Sequence, residues 1–474
     1  MIHIYENNGY KIVLDVNSGA IHLVDEVACD LIPQVEALIN RGLSDKEQIA
    51  ASFANQLSFD QNESLSEILT LYEEKMLFTP DIHEEHMLGS REPVIKALCL
   101  HVAHACNLAC RYCFAEEGEY GVGRSNRANS NDILMSFDVG KRALDFLVAN
   151  SGNRCNLEVD FFGGEPLLNW EMIKELVSYG RSLEKKHHKN FRFTLTTNGI
   201  LLTEEMFAFI NQEISNVVLS IDGRREINDR MRPLHDGSGS YDLIINPFIQ
   251  LAESRKQINY YIRGTFTREN LDFTEDFNHL ADLGFKQISI EPATSLTESV
   301  NRTPGNPSNF SIRKEDLHYI FSEYDRLAVE IINRREKGQP INFFHFMIDL
   351  TGGPCVAKRL SGCGAGTEYL AVTPWGDLYP CHQFVGQPKF LMGNLKDGIT
   401  AIHVYDQFKS TTIYTKPKCY DCFAKFFCSG GCVANAHKLH GSLNDCDDLA
   451  CELQRKRIEC AIMIKGYCSR LGRE

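Results

Sequence analysis

The run Ala97-Leu98-Cys99-Leu100-His101-Val102-Ala103, followed after two residues by Cys106-Asn107-Leu108-Ala109-Cys110-Arg111-Tyr112-Cys113, decides how the chain is read. The first seven residues have the composition of a strand, and the last eight set three thiols at C-x3-C-x2-C just past its end. Three thiolates can hold three irons of a [4Fe–4S] cube and leave the fourth iron open. An open iron can bind a small molecule and pass it an electron, whereas a fully ligated cluster only relays charge. A triplet alone can equally be half of a zinc site or part of a ferredoxin-like relay. His101 and His104 are close, but neither stands at an obvious ligand spacing.

Working outward, strand and helix patterns alternate to about residue 310. Strands are expected at Leu157–Phe162, Phe191–Thr197, Val217–Ile221, Tyr260–Thr265 and Gln287–Ile290, with helices such as Ser136–Asn150, Trp170–His187 and Leu271–Leu283 between them. Six strands with helical crossovers imply a parallel sheet, either open and doubly wound or a partial barrel. Both put their active sites at the C-terminal strand ends, where the triplet begins. Phe162-Gly163-Gly164-Glu165-Pro166 closes the second strand. Its glycines allow close backbone approach, its proline stops the strand, and free carbonyls there can accept from an ammonium group. Gly118–Asn131 and Val300–Phe310 read as loops, and a helix over Arg313–Lys337 leads to a cysteine-rich region.

Of seventeen cysteines, eleven fall within residues 355–468. In a chain of 474 residues without a signal-like start or a long apolar run, such crowding indicates metal binding rather than disulfides, and a cytoplasmic location. The spacing is Cys363-x12-Gly376-x4-Cys381, then Cys419-x2-Cys422-x5-Cys428-x3-Cys432, then Cys451. The net charge of −14 argues against binding nucleic acid, and nothing points to a membrane. Residues 1–90 hold four Lys and Arg against sixteen Asp and Glu, a solvated acidic face or a docking surface for a basic partner. They begin with alternating apolar runs at Tyr10–Val16 and Ala20–Val24 joined by Asn17-Ser18-Gly19, and continue with helical patterns at Val27–Ile39, Asp45–Gln56 and Asn62–Lys75. A hairpin followed by helices is a winged-helix-like pattern or a simple cap.

C-x3-C-x2-C with an aromatic before its last Cys, followed by GGEP at the next strand end, resembles the radical S-adenosylmethionine (SAM) superfamily. The resemblance implies a partial (β/α)6 barrel and an open iron that chelates the amine and carboxylate of SAM. One-electron reduction then yields methionine and a 5′-deoxyadenosyl radical. It makes Cys106, Cys110 and Cys113 the cluster ligands, Gly163, Gly164, Glu165 and Pro166 the amine-binding motif, and Tyr112 the aromatic beside adenine. Asn198, Ser220 and Arg263 are expected contacts to ribose or carboxylate, with ordinary strand-end polar residues as the alternative.

The distal array resembles the SPASM extension of peptide-modifying radical SAM enzymes, which implies two auxiliary [4Fe–4S] clusters and so three in all. On the family pattern Cys419, Cys422, Cys428 and Cys451 hold one. Cys363, Cys381 and Cys432 hold the other, and Cys355 either completes it or leaves an iron open to a substrate thiolate. Cys446 competes with Cys451; zinc is the rival metal. His382 is a candidate base, or a structural hydrogen-bonding group.

At Asn17-Ser18-Gly19, Phe161–Pro166, Thr373–His382 and Cys451–Arg457, and so along nearly its full length, the chain is similar to the maturases of SCIFF peptides, short precursors with six cysteines. That implies a precursor-recognition domain at 1–90, a barrel at 91–312, a helical bridge at 313–354 and a SPASM domain at 355–474. It also implies thioether bridges from Cys sulfur to an α-carbon, and an electron donor such as flavodoxin or ferredoxin. A sulfatase-maturing type of oxidase and a non-catalytic iron–sulfur carrier are the rival functions.

Overall fold

The computed structural model describes residues 1–54, 56–82, 84, 92–115, 133–293, 310–350 and 360–470. Cys355 and the loop Gly118–Asn131 lie outside the described residues, as does most of Val300–Phe310.

Three antiparallel strands open the chain, β1 (Ile2–Asn7), β2 (Tyr10–Asp15) and β3 (Ile21–Val24), with β2 in the centre. The sequence pattern starts this sheet at Tyr10, so β1 is an addition. Asn8 and Gly9, with φ of 49° and 79°, form the two-residue turn that an Asn-Gly pair favours. Helices α1 (Glu26–Asn40), α2 (Lys46–Ala51) and α3 (Phe59–Glu73) follow, capped by the side chains of Asp25, Asp45 and Ser58. Both faces of β2 are buried. Val13 packs with Leu31, Ile32 and Leu69 of the helices, while Ile12 and Leu14 join the main core. The first sheet is therefore anchored to the rest of the chain, with Asn7 donating to Asp325 (2.8 Å) and His3 meeting Glu459 (3.0 Å).

Among the described residues the main sheet has eleven strands. Its centre is the expected parallel series in chain order: β4 (Ala97–Ala103), β5 (Asn156–Gly163), β6 (Asn190–Thr197), β7 (Ile214–Ser220), β8 (Tyr260–Phe266) and β9 (Gln287–Pro292). The crossovers carry helices, among them α4 (Phe137–Asn150), α5 (Trp170–His187), α6 (Glu204–Glu213), α7 (Arg225–Met231), α8 (Tyr241–Ser254) and α9 (Phe273–Asp282). After α10 (Leu317–Glu336), the short β10 (Asn342–Phe343) pairs parallel with β9. The cysteine-rich region continues the same sheet on the opposite side. There β11 (Tyr369–Val372) pairs parallel with β4, and β12 (Asp377–Tyr379), β13 (Gly393–Asn394) and β14 (Gly398–Ile399) extend it antiparallel. The order has two ends among the described strands, so the sheet is a partial, unclosed barrel. The helix α11 (Ile402–Ser410), the short turns α12 (Pro417–Tyr420) and α13 (Lys425–Cys428), then α14 (Val433–His440) and α15 (Asp448–Arg470) complete the chain.

In β5, β6 and β8 alternate residues are buried. Gly180 of α5 lies so close to the Phe193 ring that a Cβ there would come within 2.8 Å of it, so this set faces the helices. The other set, including Asp160, Phe162, Thr196, Ser220 and Arg263, faces the concave side. Phe161, Phe193 and Phe191 stack in sequence at centroid distances of 5.6 and 5.8 Å. Phe193→Ala should therefore cost about 3–5 kcal/mol in urea denaturation, whereas truncating the exposed Leu243 should stay within about 0.5 kcal/mol.

Candidate active site

The cysteine loop leaves β4 and is pinned from two sides. On one side, Gly164 N–H donates to Ala103 O and Glu165 N–H to Ala105 O, both at 2.8 Å. A Cβ on Gly163 would lie 2.2 Å from Ala103 O, and one on Gly164 would lie 2.1 Å from Ala105 O. The glycines thus serve close approach of two protein backbones. On the other side, Ala109 N–H donates to Pro233 O and Arg111 N–H to Met231 O, both at 2.9 Å.

Glu165 is fully buried. It accepts from Leu167 N–H (2.9 Å), the Thr197 hydroxyl (2.8 Å) and Asn198 N–H (2.8 Å), so its carboxylate ties the end of β5 to that of β6. Burial raises its pKa, and these donors oppose the rise. Asn198 in turn donates to Asn107 Oδ1 at 2.7 Å and stands 3.6 Å from Cys106 Sγ.

Cys106, Cys110 and Cys113 line one cavity of about 160 Å³ with Tyr112, Gly163, Gly164, Pro166, Asn198 and Ser220. Burial pushes the Cys106 thiol up to about 11 and the Cys110 thiol up to about 12. Both are therefore protonated until a metal displaces the proton. Two residues that spacing did not reveal complete the floor. Tyr112 donates to Asp222 at 2.8 Å and accepts from Arg232 Nη1 at 2.9 Å. Asp222 is buried, which raises it to about 6. Arg232 lines the cavity, is 8% exposed, and its Nε finds no partner among the described residues. The motif Ser220-Ile221-Asp222-Gly223 was a sequence signal for Asp222, but nothing marked Arg232.

Arg263 departs from the expected position. It is half exposed, pairs with Glu291 at 2.8 Å, and is not among the residues lining the thiol cavity. Burial opposes ionisation of Glu291, but Arg263, then His345 and Arg457, hold it down to about 2. His382 lies between Phe114 and Phe162, at centroid distances of 5.4 and 5.1 Å, and Tyr369 Oη is 3.5 Å from its Nδ1. Burial, with Arg263 nearby, lowers it to about 4. Such an imidazole is neutral at pH 7 and a weak base, which suits hydrogen bonding better than proton abstraction.

The distal thiols form two groups. Cys381 and Cys432 feel Cys363 and each other, and Gln383 Nε2 is 3.7 Å from Cys432 Sγ. Cys419 lies 3.5 Å from Cys446, which neighbours Cys451, while Cys428 feels Cys422 and Cys446.

Residues 100–246 match the Radical SAM superfamily, and residues 363–423 match SPASM, an iron-sulfur cluster-binding domain. The chain belongs to the radical SAM superfamily and carries a SPASM domain; it is a radical SAM enzyme. A protein of Methanocaldococcus jannaschii, MJ0907, is 33% identical over 254 residues, 50% of this chain and 82% of that one. The radical SAM cyclopropyl synthase TigE of Paramaledivibacter caminithermalis is 21% identical over 95% of this chain and 92% of its own. In fold, the chain resembles Streptococcus suis SuiB bound to precursor peptide SuiA, at a TM-score of 0.51 and 16% identity, over 95% of this chain and 100% of that one. The donor set fits a SAM-binding cluster: three thiols share one cavity, and a buried cation with an unspent N–H stands beside them.

Two outcomes follow. Gly164→Ala should cost about 1–3 kcal/mol in thermal unfolding and reduce iron uptake, because the new methyl meets backbone. Asp160 faces the barrel interior and is raised by burial from 3.8 to about 6. Its folded form holds a proton more tightly than the unfolded chain, so its contribution to stability falls as pH rises from about 4 to 6. Asp160→Asn should stabilise the fold above pH 6, by on the order of 2 kcal/mol, and leave it unchanged near pH 4 in pH-resolved urea titrations.

Proposed function

We propose that this enzyme modifies a cysteine-rich precursor peptide, joining a Cys sulfur to the α-carbon of another residue. The observation that carries the reading is the single cavity shared by Cys106, Cys110, Cys113 and the Gly163–Pro166 strand end, open on the concave side of the sheet. Cys106, Cys110 and Cys113 hold the SAM-binding [4Fe–4S] cluster. The strand-end backbone at Gly163 and Gly164, which lines the thiol cavity, meets the SAM amine, Arg232 and Ser220 its carboxylate or ribose, and Tyr112 its adenine. When bound and reduced, this pair supplies a carbon radical that removes hydrogen from the acceptor residue.

The two distal thiol groups hold auxiliary clusters, Cys363, Cys381 and Cys432 with Cys355 one, and Cys419, Cys422, Cys428 and Cys451 the other. Phe162 lines the cavity and packs on His382, the residue after Cys381, and a substrate thiol enters on that side. His382 orients that thiol through a neutral ring nitrogen. Arg263 and Glu291 lie farther along the same concave face and suit peptide backbone contacts rather than SAM.

The acidic first domain, residues 1–90, suits a basic leader added as a strand beside β3, whose outer edge pairs with no described strand. SuiB holds a precursor peptide on a fold of the same extent, which supports this role. The barrel is assigned to 91–312, the bridge to 313–354 and the SPASM domain to 355–474. A cytoplasmic flavodoxin or ferredoxin is the proposed reductant, and among the described residues no helix is long and apolar enough to cross a membrane.

Cys106→Ala should abolish deoxyadenosine formation, measured anaerobically with dithionite and SAM. Deoxyadenosine at the wild-type rate would remove the cluster assignment. With a six-cysteine peptide present, tandem mass spectrometry should find products two hydrogens lighter per bridge and cross-linked at sulfur. A two-hydrogen loss without cross-links would replace thioether formation with simple oxidation.

A further inference from the structure

Cys446 is the thiol that the two-cluster assignment leaves without a role. It is 3% exposed, its sulfur lies 3.5 Å from that of Cys419, and Cys451 is within hydrogen-bond reach on its other side. Cys460, buried elsewhere, offers a contrast. Its thiol donates to Asp325 at 3.5 Å and accepts from Asn7 at 3.7 Å, as an ordinary core cysteine does. The neighbours of the Cys446 thiol are instead members of a ligand set.

The loop that carries Cys446 is held by a buried cation. Lys416 is 2% exposed, and its ammonium donates to Gly430 O at 2.8 Å and to Asp445 O at 3.1 Å. Gly430 lies in the turn between Cys428 and Cys432, and Asp445 precedes Cys446. One side chain therefore fixes the Cys446 loop against the cluster loop. Among the described residues no carboxylate pairs with Lys416, and a buried ammonium is costly without an anion. Cys428, Cys446 and Cys451, with Cys432 of the other group, also line a cavity of about 210 Å³ with Arg457, which is 7% exposed and whose Nη2 has no partner among the described residues. Two buried cations around five thiols match an anionic metal cluster that engages the Cys446 side as well as the Cys451 side.

On the reading that these thiols hold a [4Fe–4S] cluster, we propose that Cys419, Cys422 and Cys428 each keep one iron while Cys446 and Cys451 share the fourth. Exchange breaks one Fe–S bond and forms another. The entering thiol gives its proton to the departing thiolate, and no electron moves. The sulfur not bound to iron remains as an S–H donor to its bound neighbour, and hydrogen bonds to ligand sulfur tune a cluster's potential. The corner also keeps a ligand when one thiol is displaced.

The test compares Cys446→Ala, Cys451→Ala and the double variant with the full chain, reconstituted anaerobically with iron and sulfide. Each single variant should retain wild-type iron and sulfide, and the double variant should lose one cluster's worth. Each single variant should also shift the potential at which the auxiliary EPR signal appears, because the spare S–H donor is gone. This second readout needs no double variant and holds if that variant fails to fold. Loss of a cluster in either single variant would assign the corner to one thiol and overturn sharing, as would wild-type potentials in both. Failure of the underlying reading looks different. The wild-type chain would then bind iron for the Cys106 cluster alone, or bind zinc, and Cys419→Ala would lose no iron.

Discussion

Everything at the site depends on two strand ends meeting backbone to backbone. Gly163 and Gly164 bring the end of β5 against Ala103–Ala105, and no side chain fits between. The contact fixes where the cysteine loop starts, and the buried Glu165 extends the tie to β6. Three strand ends and the thiol loop thus form one rigid rim. Such rigidity matters for radical chemistry, since a reacting carbon has to be held close to its hydrogen donor and away from water. The acidic residue of the motif is spent on this internal tie, so its carboxylate serves the fold and not a ligand.

A second consequence follows from β4. It pairs with β5 on one side and with β11 on the other, so it is shared by the barrel and the cysteine-rich region. Cys381 follows β12 by two residues, and the triplet follows β4 by three. One continuous sheet therefore sets the separation of the Cys106–Cys113 thiols from the Cys363 group. The rings of Phe114, Phe162 and His382 occupy the space between them. Electron transfer and substrate positioning between the two groups would both use this short, ring-lined boundary.

The six barrel strands, the three thiols and the strand-end glycines were legible because each leaves a local signature: period-two burial, fixed spacing, and a residue type that only a close approach requires. What stayed hidden depends on tertiary partners. Arg232 sits at the end of α7 with no pattern around it, and acquires meaning only when Tyr112 and Asp222 arrive from other elements. Arg263 carried the right charge on the right strand, but Glu291 on the adjacent strand turns it away from the thiol cavity. The alternation in β2 reads as one buried face, yet both are covered, because the first domain packs on α10 and α15. β11 to β14 are too short to show a period, and pairing with β4 is what makes them strands.

Burial sets the electrostatics of all three thiol groups. A buried thiol resists ionisation, and Cys106, Cys110, Cys428 and Cys432 are all raised for this reason. Metal binding has to overcome that cost, and afterwards the charge remains inside the protein. The compensation is built beforehand: Arg232 stands beside the first group, and Lys416 is held by carbonyls beside the last. Arg232 shares its charge with the buried Asp222 through Tyr112, whereas Lys416 meets only carbonyls among the described residues. A cation placed beside these thiols would offset the negative charge that thiolate–metal bonds leave inside the protein.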